Sequence, residues 1–245
     1  MKLNMSHEAR LARQELNEKL ILGFIAHHGF STAQMLSDLL DYQQVQSVYK
    51  VLRRLVEKRF IRIHKMVFIG NLYLLTPTGI NQLSESVKIK NIKAHEIKPF
   101  SMEHRLAIQK CHIAMFKNKI RWSSLTGKTK KGEQKPDGII WFCFDEPKKT
   151  EVAVEVELTI KTQKRYKQIY REYNNSKYKL ILYVVPSETM RDRLNNIFKM
   201  IKYENSFSTI SIQVMTFEQF AQSITDEHSN SRELKLKETE NKESA

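Results

Sequence analysis

The segment Val152–Thr159 reads VAVEVELT and sets the pattern of the C-terminal half of the chain. Apolar residues occupy every second position, which predicts a β-strand with one apolar face. Glu155 and Glu157 share the opposite face. Carboxylates in the middle of an apolar strand are costly to bury unless they bind or pair with a cation. The strand therefore predicts either a metal site or surface ion pairs with a lysine. The lysines considered as ion-pair partners are Lys148, Lys149 and Lys161.

The segments around this strand predict a mixed α/β sheet flanked by helices. The predicted helices are Met102–Phe116, Thr162–Asn175 and a helix from Ser187 to about Tyr203. The other predicted strands are Ile120–Ser123, Ile139–Phe144, Leu180–Val185 and Ile210–Met215. The resulting order is α-β-β-β-α-β-α-β, with the two glutamates in the third strand.

Three carboxylates and one lysine are the candidates for chemistry in this half of the chain. Asp137, preceded by Pro136, stands at the start of the strand before the glutamates. Together with Glu155 and Glu157 it could bind Mg²⁺, whose usual ligands are one or two carboxylates, waters and phosphate oxygens. Lys161 could stabilise the negative charge that develops on a phosphate during its reaction.

The N-terminal half has the pattern of a winged helix-turn-helix. Three helices are predicted, at Glu15–His28, Thr32–Leu40 and about Gln43–Lys58. We expect Gly29 to end the first helix and Ser31 to cap the second. Two β-prone runs follow between Ile61 and Leu75, with Gly70–Asn71 as the predicted turn of a hairpin, and Thr76–Pro77 begins another helix.

The third helix of this half predicts contact with DNA. Its polar face offers amides, a hydroxyl and a cation to base edges and phosphates. These residues are Gln43, Gln46, Ser47 and Lys50. Further cations could bind backbone phosphates. They are Arg53, Arg54, Lys58, Arg59, Arg62 and Lys65, together with Lys128, Lys130 and Lys131 of a lysine-rich loop. The alternative is a protein-interaction module whose polar helix face is simply solvated.

Composition and charge agree with a nucleic-acid partner. The 245 residues include 41 Lys and Arg against 27 Asp and Glu, a formal charge of +14. Such a balance favours a polyanion. The sequence has no run of 18 apolar residues and no apolar leader, so we expect a cytoplasmic protein without membrane insertion. Two cysteines do not predict a disulfide framework.

These patterns divide the chain into four segments. Residues 1–87 are the predicted winged helix-turn-helix, and residues 88–100 are a basic linker. Residues 101–225 form the predicted mixed-sheet domain. Residues 226–245 carry a net charge of −2 and too few apolar side chains to form a core, so we expect a disordered tail. Without that tail, the remaining residues carry +16.

The order of the candidate residues resembles a nuclease motif. Asp137 after Pro136, then Glu155 and Lys161, is similar to the PD-(D/E)xK motif of restriction-endonuclease-like folds. In the usual motif the lysine stands two residues after the second acid, where this chain has Glu157. The D…ExExxxK arrangement behind a winged helix resembles the replication-relaxation family, and within it the MobC-type relaxases of mobilisable plasmids. The resemblance extends over residues from about 15 to 220.

This resemblance implies a relaxase that depends on Mg²⁺ or Mn²⁺. It would cut one strand of double-stranded plasmid DNA at an origin of transfer, in company with other mobilisation proteins. Asp137, Glu155 and Glu157 would hold the metal, and Lys161 would stabilise the transition state. A non-enzymatic DNA-binding regulator, or an accessory protein of the relaxosome with a degenerate nuclease-like domain, is the alternative.

The resemblance adds five further candidates. Lys164 or Arg165 could substitute for the displaced lysine, and Glu103 could add a metal contact. Tyr166 and Tyr170 lie four residues apart on one helix face and are candidates for a nucleophile, although aromatic positions on a helix are also typical of packing.

Overall fold

The computed structural model describes residues 6–83, 97–124, 134–145, 148–205 and 209–222, with the backbone alone described over 142–145 and 148–150. The chain divides into two units, Met1–Gln109 and Lys110–Ala245. The division falls inside one helix, Met102–Lys117. The lysine-rich loop with Lys128, Lys130 and Lys131, most of the predicted linker and the predicted tail lie outside the described residues.

The first unit contains the predicted three helices and hairpin. Its elements in chain order are α1 (His7–His28), β1 (Ser31–Thr32), α2 (Ala33–Leu39), α3 (Gln46–Glu57), β2 (Ile61–Met66), β3 (Gly70–Leu75), α4 (Pro77–Ile80) and the start of α5 (Met102–Lys117). Strands β2 and β3 form an antiparallel hairpin, and β1 pairs with the other edge of β3.

Helix α1 is longer than its apolar pattern predicts. It begins at His7, where the side chain of Ser6 accepts a hydrogen bond from the backbone N–H of Ala9 at 3.2 Å. The predicted start at Glu15 is wrong because the first two turns are exposed and carry no apolar stripe. Gly29 ends the helix as predicted, with a φ of 84° that glycine adopts without strain.

The cap and the turn of this unit differ from their predicted positions. Thr32, not Ser31, caps α2, because Ser31 pairs in β1 and its buried hydroxyl donates to Gln109 Oε1 at 2.8 Å. The hairpin turn is Val67–Ile69 rather than Gly70–Asn71, because Met66 pairs directly with Gly70. Gly70 has a φ of 87° and begins β3.

The first unit has a continuous apolar core. Helices α1 and α3 bury the side chains Ile21, Leu22, Phe24, Ile25, Val48, Val51, Leu52 and Leu55. A cluster beside them contains Phe30, Leu72, Leu74, Ile97 and Met102. Ile97 belongs to the predicted linker, so the end of that segment contributes to the core of the first unit.

The second unit is a five-stranded mixed sheet with two crossover helices. Its elements after α5 are β4 (Trp122–Ser123), β5 (Gly138–Asp145), β6 (Lys148–Val156), α6 (Gln163–Asn174), β7 (Leu180–Val185), α7 (Glu188–Glu204) and β8 (Ser211–Thr216). The strand order is β4-β5-β6-β7-β8. The pairs β4–β5 and β5–β6 are antiparallel, and β6–β7 and β7–β8 are parallel. The predicted element order is confirmed.

Aromatic side chains fill the space between the sheet and its helices. Helix α6 presents four buried side chains to this core, which are Tyr166, Ile169, Tyr170 and Tyr173. They pack with residues of α7 and of the central strands, namely Leu194, Phe198, Ile201, Ala153, Ile181, Tyr183 and Val185. Among the described residues, no helix has the length and apolar character needed to cross a membrane.

Gly138 makes room for Trp122 at the start of β5. A Cβ atom at this position would lie 2.1 Å from the Trp122 ring.

We predict that Gly138→Ala destabilises the protein by about 1–3 kcal/mol, the usual cost of overpacking. A Cβ atom added at Gly23, within α1, would meet nothing within 4 Å among the described residues beyond its own turns of helix. Gly23→Ala should instead stabilise by about 0.5–1 kcal/mol through helix propensity. Urea unfolding followed by circular dichroism measures both changes. Equal free energies of unfolding for the two variants would contradict the close packing of Trp122 against Gly138.

Candidate functional site

Asp137 and Glu155 come together through the register of β5 and β6. Gly138 pairs with Val154 in this antiparallel ladder, so Asp137 lies across from Glu155. The Oδ2 atom of Asp137 accepts a hydrogen bond from the backbone N–H of Val156 at 2.9 Å. This bond fixes the Asp137 carboxylate beside the end of β6.

The environment of Glu155 penalises its negative charge. Burial raises the pKa of Glu155 to about 8, and the charge of Asp137 acts in the same direction. Hydrogen bonds from Tyr173 and Gln134 and the charge of Lys161 oppose this rise. The Tyr173 hydroxyl and Gln134 Nε2, the latter at 2.9 Å, both donate to Glu155 Oε1. Two adjacent carboxylates in such surroundings favour a bound cation or a shared proton.

Glu157 is held in an ion pair with Lys161. Glu157 lies one residue beyond β6 and is only 5% exposed, and its backbone N–H donates to the Val184 carbonyl at 3.0 Å. Its carboxylate contacts Lys161 Nζ. The backbone N–H of Lys161 also donates to the Tyr166 hydroxyl at 3.1 Å. The ion-pair alternative predicted for the glutamates is therefore observed for Glu157.

The residues fit a site with two carboxylate ligands. The ligand atoms of Asp137, Glu155 and Glu157 do not all lie within 4.8 Å of one another. Mg²⁺ commonly takes only one or two protein carboxylates and completes its shell with water and phosphate. Asp137 and Glu155 meet that requirement. Glu157 uses Oε2 for its contact with Lys161.

The tyrosines of α6 are packed in the core. Tyr166 is fully buried and lies edge-on to Phe198, with ring centroids 5.4 Å apart. Burial raises the pKa of Tyr166, which disfavours the tyrosinate that a nucleophile would need. Tyr170 is buried in the same cluster. The structure thus gives Tyr166 and Tyr170 a packing role.

Two contacts of the site lie outside the sequence predictions. Gln134 stands three residues before Asp137, and Tyr173 stands three residues after Tyr170 on the buried face of α6. That i,i+3 spacing is the signal that could have placed Tyr173 toward the sheet. Tyr183 is also near, because it pairs with Glu155 across β6 and β7.

The remaining candidates of the nuclease motif are exposed. Lys164 and Arg165 lie in the first turn of α6, after the N-cap Thr162. Their positions at the surface suit contact with phosphates. Glu103 is exposed on α5 and belongs to the first unit.

Helix α3 presents the predicted polar surface. Gln46, Ser47 and Lys50 are exposed on the helix, and Gln43 is exposed just before it. Lys65 is exposed on β2. Arg53 is exposed as well and pairs with Glu57 at 2.9 Å.

Arg54 and Lys58 are engaged within the protein. Both contact Glu18 of α1, which is buried: Arg54 Nε lies 3.3 Å from Oε1, and Lys58 Nζ lies 2.6 Å from Oε2. The two cations are four residues apart, so they face α1 together. They hold α3 against α1. Contact with phosphates was their predicted role, so this structural role was not predicted.

We predict that Glu18→Gln lowers the free energy of unfolding by about 1–3 kcal/mol, because it removes the charge partner of two cations. Glu57→Gln breaks only the exposed pair with Arg53 and should change stability by less than about 0.5 kcal/mol. Urea denaturation of both variants measures the difference. Equal effects would show that Glu18 does not anchor α3.

Comparison with protein families adds an independent observation. A family model described as Replication-relaxation matches residues 22–181, which include α3 and the carboxylate site. No curated protein and no solved structure matches the chain. The matched range spans well over half of the sequence. The chain therefore belongs to the replication-relaxation family.

Proposed function

We propose that this protein is a metal-dependent relaxase that nicks one strand of plasmid DNA at an origin of transfer. The observation that carries the proposal is the Asp137–Glu155 pair with Lys161 beside it. Family membership supports a role in plasmid replication or mobilisation and an interaction with DNA. The proposed partners are double-stranded DNA and other mobilisation proteins.

Asp137 and Glu155 would hold Mg²⁺ or Mn²⁺. The bound ion would neutralise charge on the scissile phosphate and make a coordinated water more acidic. Tyr173 and Gln134 would keep the Glu155 carboxylate oriented through their hydrogen bonds to Oε1. Asp137 is already oriented by the Val156 N–H, so neither carboxylate has to be ordered on binding.

Lys161 would donate to a phosphate oxygen and stabilise the charge that develops there. Its side chain is 43% exposed, so its ammonium group can turn from Glu157 toward DNA. Transfer of Lys161 to the phosphate would release Glu157, which could then become the third carboxylate ligand. Lys164 and Arg165 would bind neighbouring phosphates.

Water is the nucleophile that the site favours. Tyr166 and Tyr170 are buried in the core, and burial raises the pKa of Tyr166, which disfavours the tyrosinate that a nucleophile would need. A water molecule would attack phosphorus as the bond to the leaving sugar oxygen breaks. The proton of the water would pass to solvent, and the leaving sugar oxygen would take up a proton from solvent.

The first unit would bind the duplex through α3. Gln46, Ser47 and Lys50 would face the major groove, and Gln43 and Arg53 would lie at its margin. Cations on β2 would add phosphate contacts. Arg54 and Lys58 would act mainly through their contacts with Glu18.

One observation favours the second candidate, a non-enzymatic DNA-binding regulator or relaxosome accessory protein. Glu157 stands where the nuclease motif has its lysine and pairs with Lys161, the cation that would replace it. A site whose cation is neutralised in this way could bind DNA without cutting it.

Nicking of a supercoiled plasmid that carries the cognate origin tests the proposal. We expect activity with Mg²⁺ or Mn²⁺, and a loss of about 100-fold or more for Asp137→Asn, Glu155→Gln and Lys161→Ala. DNA binding should remain, because the changes are conservative or exposed. Glu188→Gln, an exposed carboxylate on α7, is the matched control and should keep full activity. Binding without metal-dependent nicking in the wild type would favour the accessory protein instead.

Tyr173→Phe tests the positioning of Glu155 and also the nucleophile. Loss of the hydrogen bond should raise the Mn²⁺ concentration needed for half-maximal nicking by about tenfold, as is typical for groups that orient metal ligands. Tyr170→Phe is the matched control: the described residues provide no hydrogen-bond partner for its buried hydroxyl. That variant should nick like the wild type. Abolished nicking in Tyr170→Phe would contradict the water mechanism and favour a tyrosine nucleophile.

A further inference from the structure

The tip of the β2–β3 hairpin carries two exposed apolar side chains. Val67 is 92% exposed and Phe68 is 95% exposed in the part of the chain that the structure describes. Both lie in the three-residue turn between Met66 and Gly70. Turns of hairpins usually carry glycine, asparagine or aspartate, because these residues suit the backbone and the solvent. Val67 and Phe68 contribute little to the core of the first unit.

The base of the hairpin is firmly held, in contrast to its tip. Six residue pairs connect the strands, from Ile61 with Leu75 to Met66 with Gly70. Leu72 and Leu74 of β3 are buried in the apolar cluster of the first unit. The hairpin is therefore a rigid support that holds an apolar tip in solvent.

The hairpin and the residues that lead into it carry basic side chains and no acidic ones. The sequence from Lys58 to Leu75 contains four basic residues and no aspartate or glutamate. Arg62 and Lys65 are exposed on β2, the strand that leads to the tip. A polyanion complements this arrangement, and α3 in the same unit offers exposed amides and a lysine to the same kind of partner.

We propose that the hairpin tip enters the minor groove of duplex DNA and that Phe68 wedges between two base pairs. Apolar side chains flanked by cations act in this way in proteins that kink DNA. Arg62 and Lys65 would contact the phosphates beside the groove, while Val67 would pack against the sugars. The inference rests on the proposed DNA binding by the first unit.

A wedge would fit the proposed nicking reaction. Base pairs that are unstacked are easier to separate, and nicking requires one strand to be presented apart from the other. Steps of pyrimidine followed by purine unstack most readily, so the hairpin should prefer TA and CA steps. The preference would arise without hydrogen bonds to base edges.

The test uses an A·T-rich duplex with 2-aminopurine at a central TA step and fluorescein at one end. Anisotropy of fluorescein measures binding, and 2-aminopurine fluorescence rises when the base unstacks. We expect the wild type to produce this rise at saturation. Phe68→Ala should abolish the rise and weaken binding by about tenfold, the effect of losing one stacked aromatic.

Two variants control for other causes. Phe100→Ala removes a phenylalanine of the same unit that is 83% exposed, and it should leave both signals unchanged. Lys50→Ala should weaken binding but leave the rise at saturation intact, because it removes a contact of α3 alone. Thermal unfolding of Phe68→Ala should match the wild type, since its side chain is exposed.

The outcomes separate the wedge from the proposed function. Wild-type binding without a rise, or an undiminished rise with Phe68→Ala, would overturn the wedge and leave DNA binding in place. Absence of any binding to the duplex would overturn both. A dimer in light scattering that Phe68→Ala dissociates, or binding to anionic vesicles that depends on Phe68, would assign the tip to a second copy or to a lipid surface instead.

Discussion

The hydrogen bond from the Val156 N–H to Asp137 Oδ2 is the contact on which the candidate site depends. It is available because β5 and β6 are antiparallel, so that the first residue before β5 meets the last residues of β6. Trp122 packs over Gly138 next to it and leaves no room for a larger residue. The position of one carboxylate is thus set by sheet register and by aromatic packing.

The second carboxylate depends on packing across a layer. Glu155 is oriented by Tyr173, a residue of α6, and α6 is held against the sheet by the tyrosine-rich core that also contains Tyr183. Burial in that core raises the pKa of Glu155, and a cation at the site would favour the charged form of this carboxyl. The same core therefore orients Glu155 and raises its pKa.

Sequence patterns predicted the elements better than the contacts between them. The continuous apolar run Leu180–Val185 matches the bounds of β7, whereas the exposed first turns of α1 carry no apolar signal. The alternation of VAVEVELT singled out Glu155 and Glu157 as carboxylates on one face of the strand. The sequence also offered Lys161 as an ion-pair partner, which Glu157 has. It could not show that Tyr173 contacts Glu155, because that contact depends on how α6 packs. The pairing of Glu18 with Arg54 and Lys58 spans 36 and 40 residues and has no local signature.

The course of the chain after β6 explains how Lys161 reaches the candidate site. Strand β6 ends at Val156, and the chain then turns into α6, whose N-cap is Thr162. Position 157 directly follows the strand. Lys161 directly precedes the N-cap of α6, and its side chain extends to Glu157. The hydrogen bond to the Tyr166 hydroxyl and the ion pair with Glu157 fix Lys161 there. Its charge reaches Glu155 as well, since it lowers the pKa of that carboxyl. An acid and a base therefore lie beside the Asp137–Glu155 pair, and the base is the residue just before the N-cap of α6.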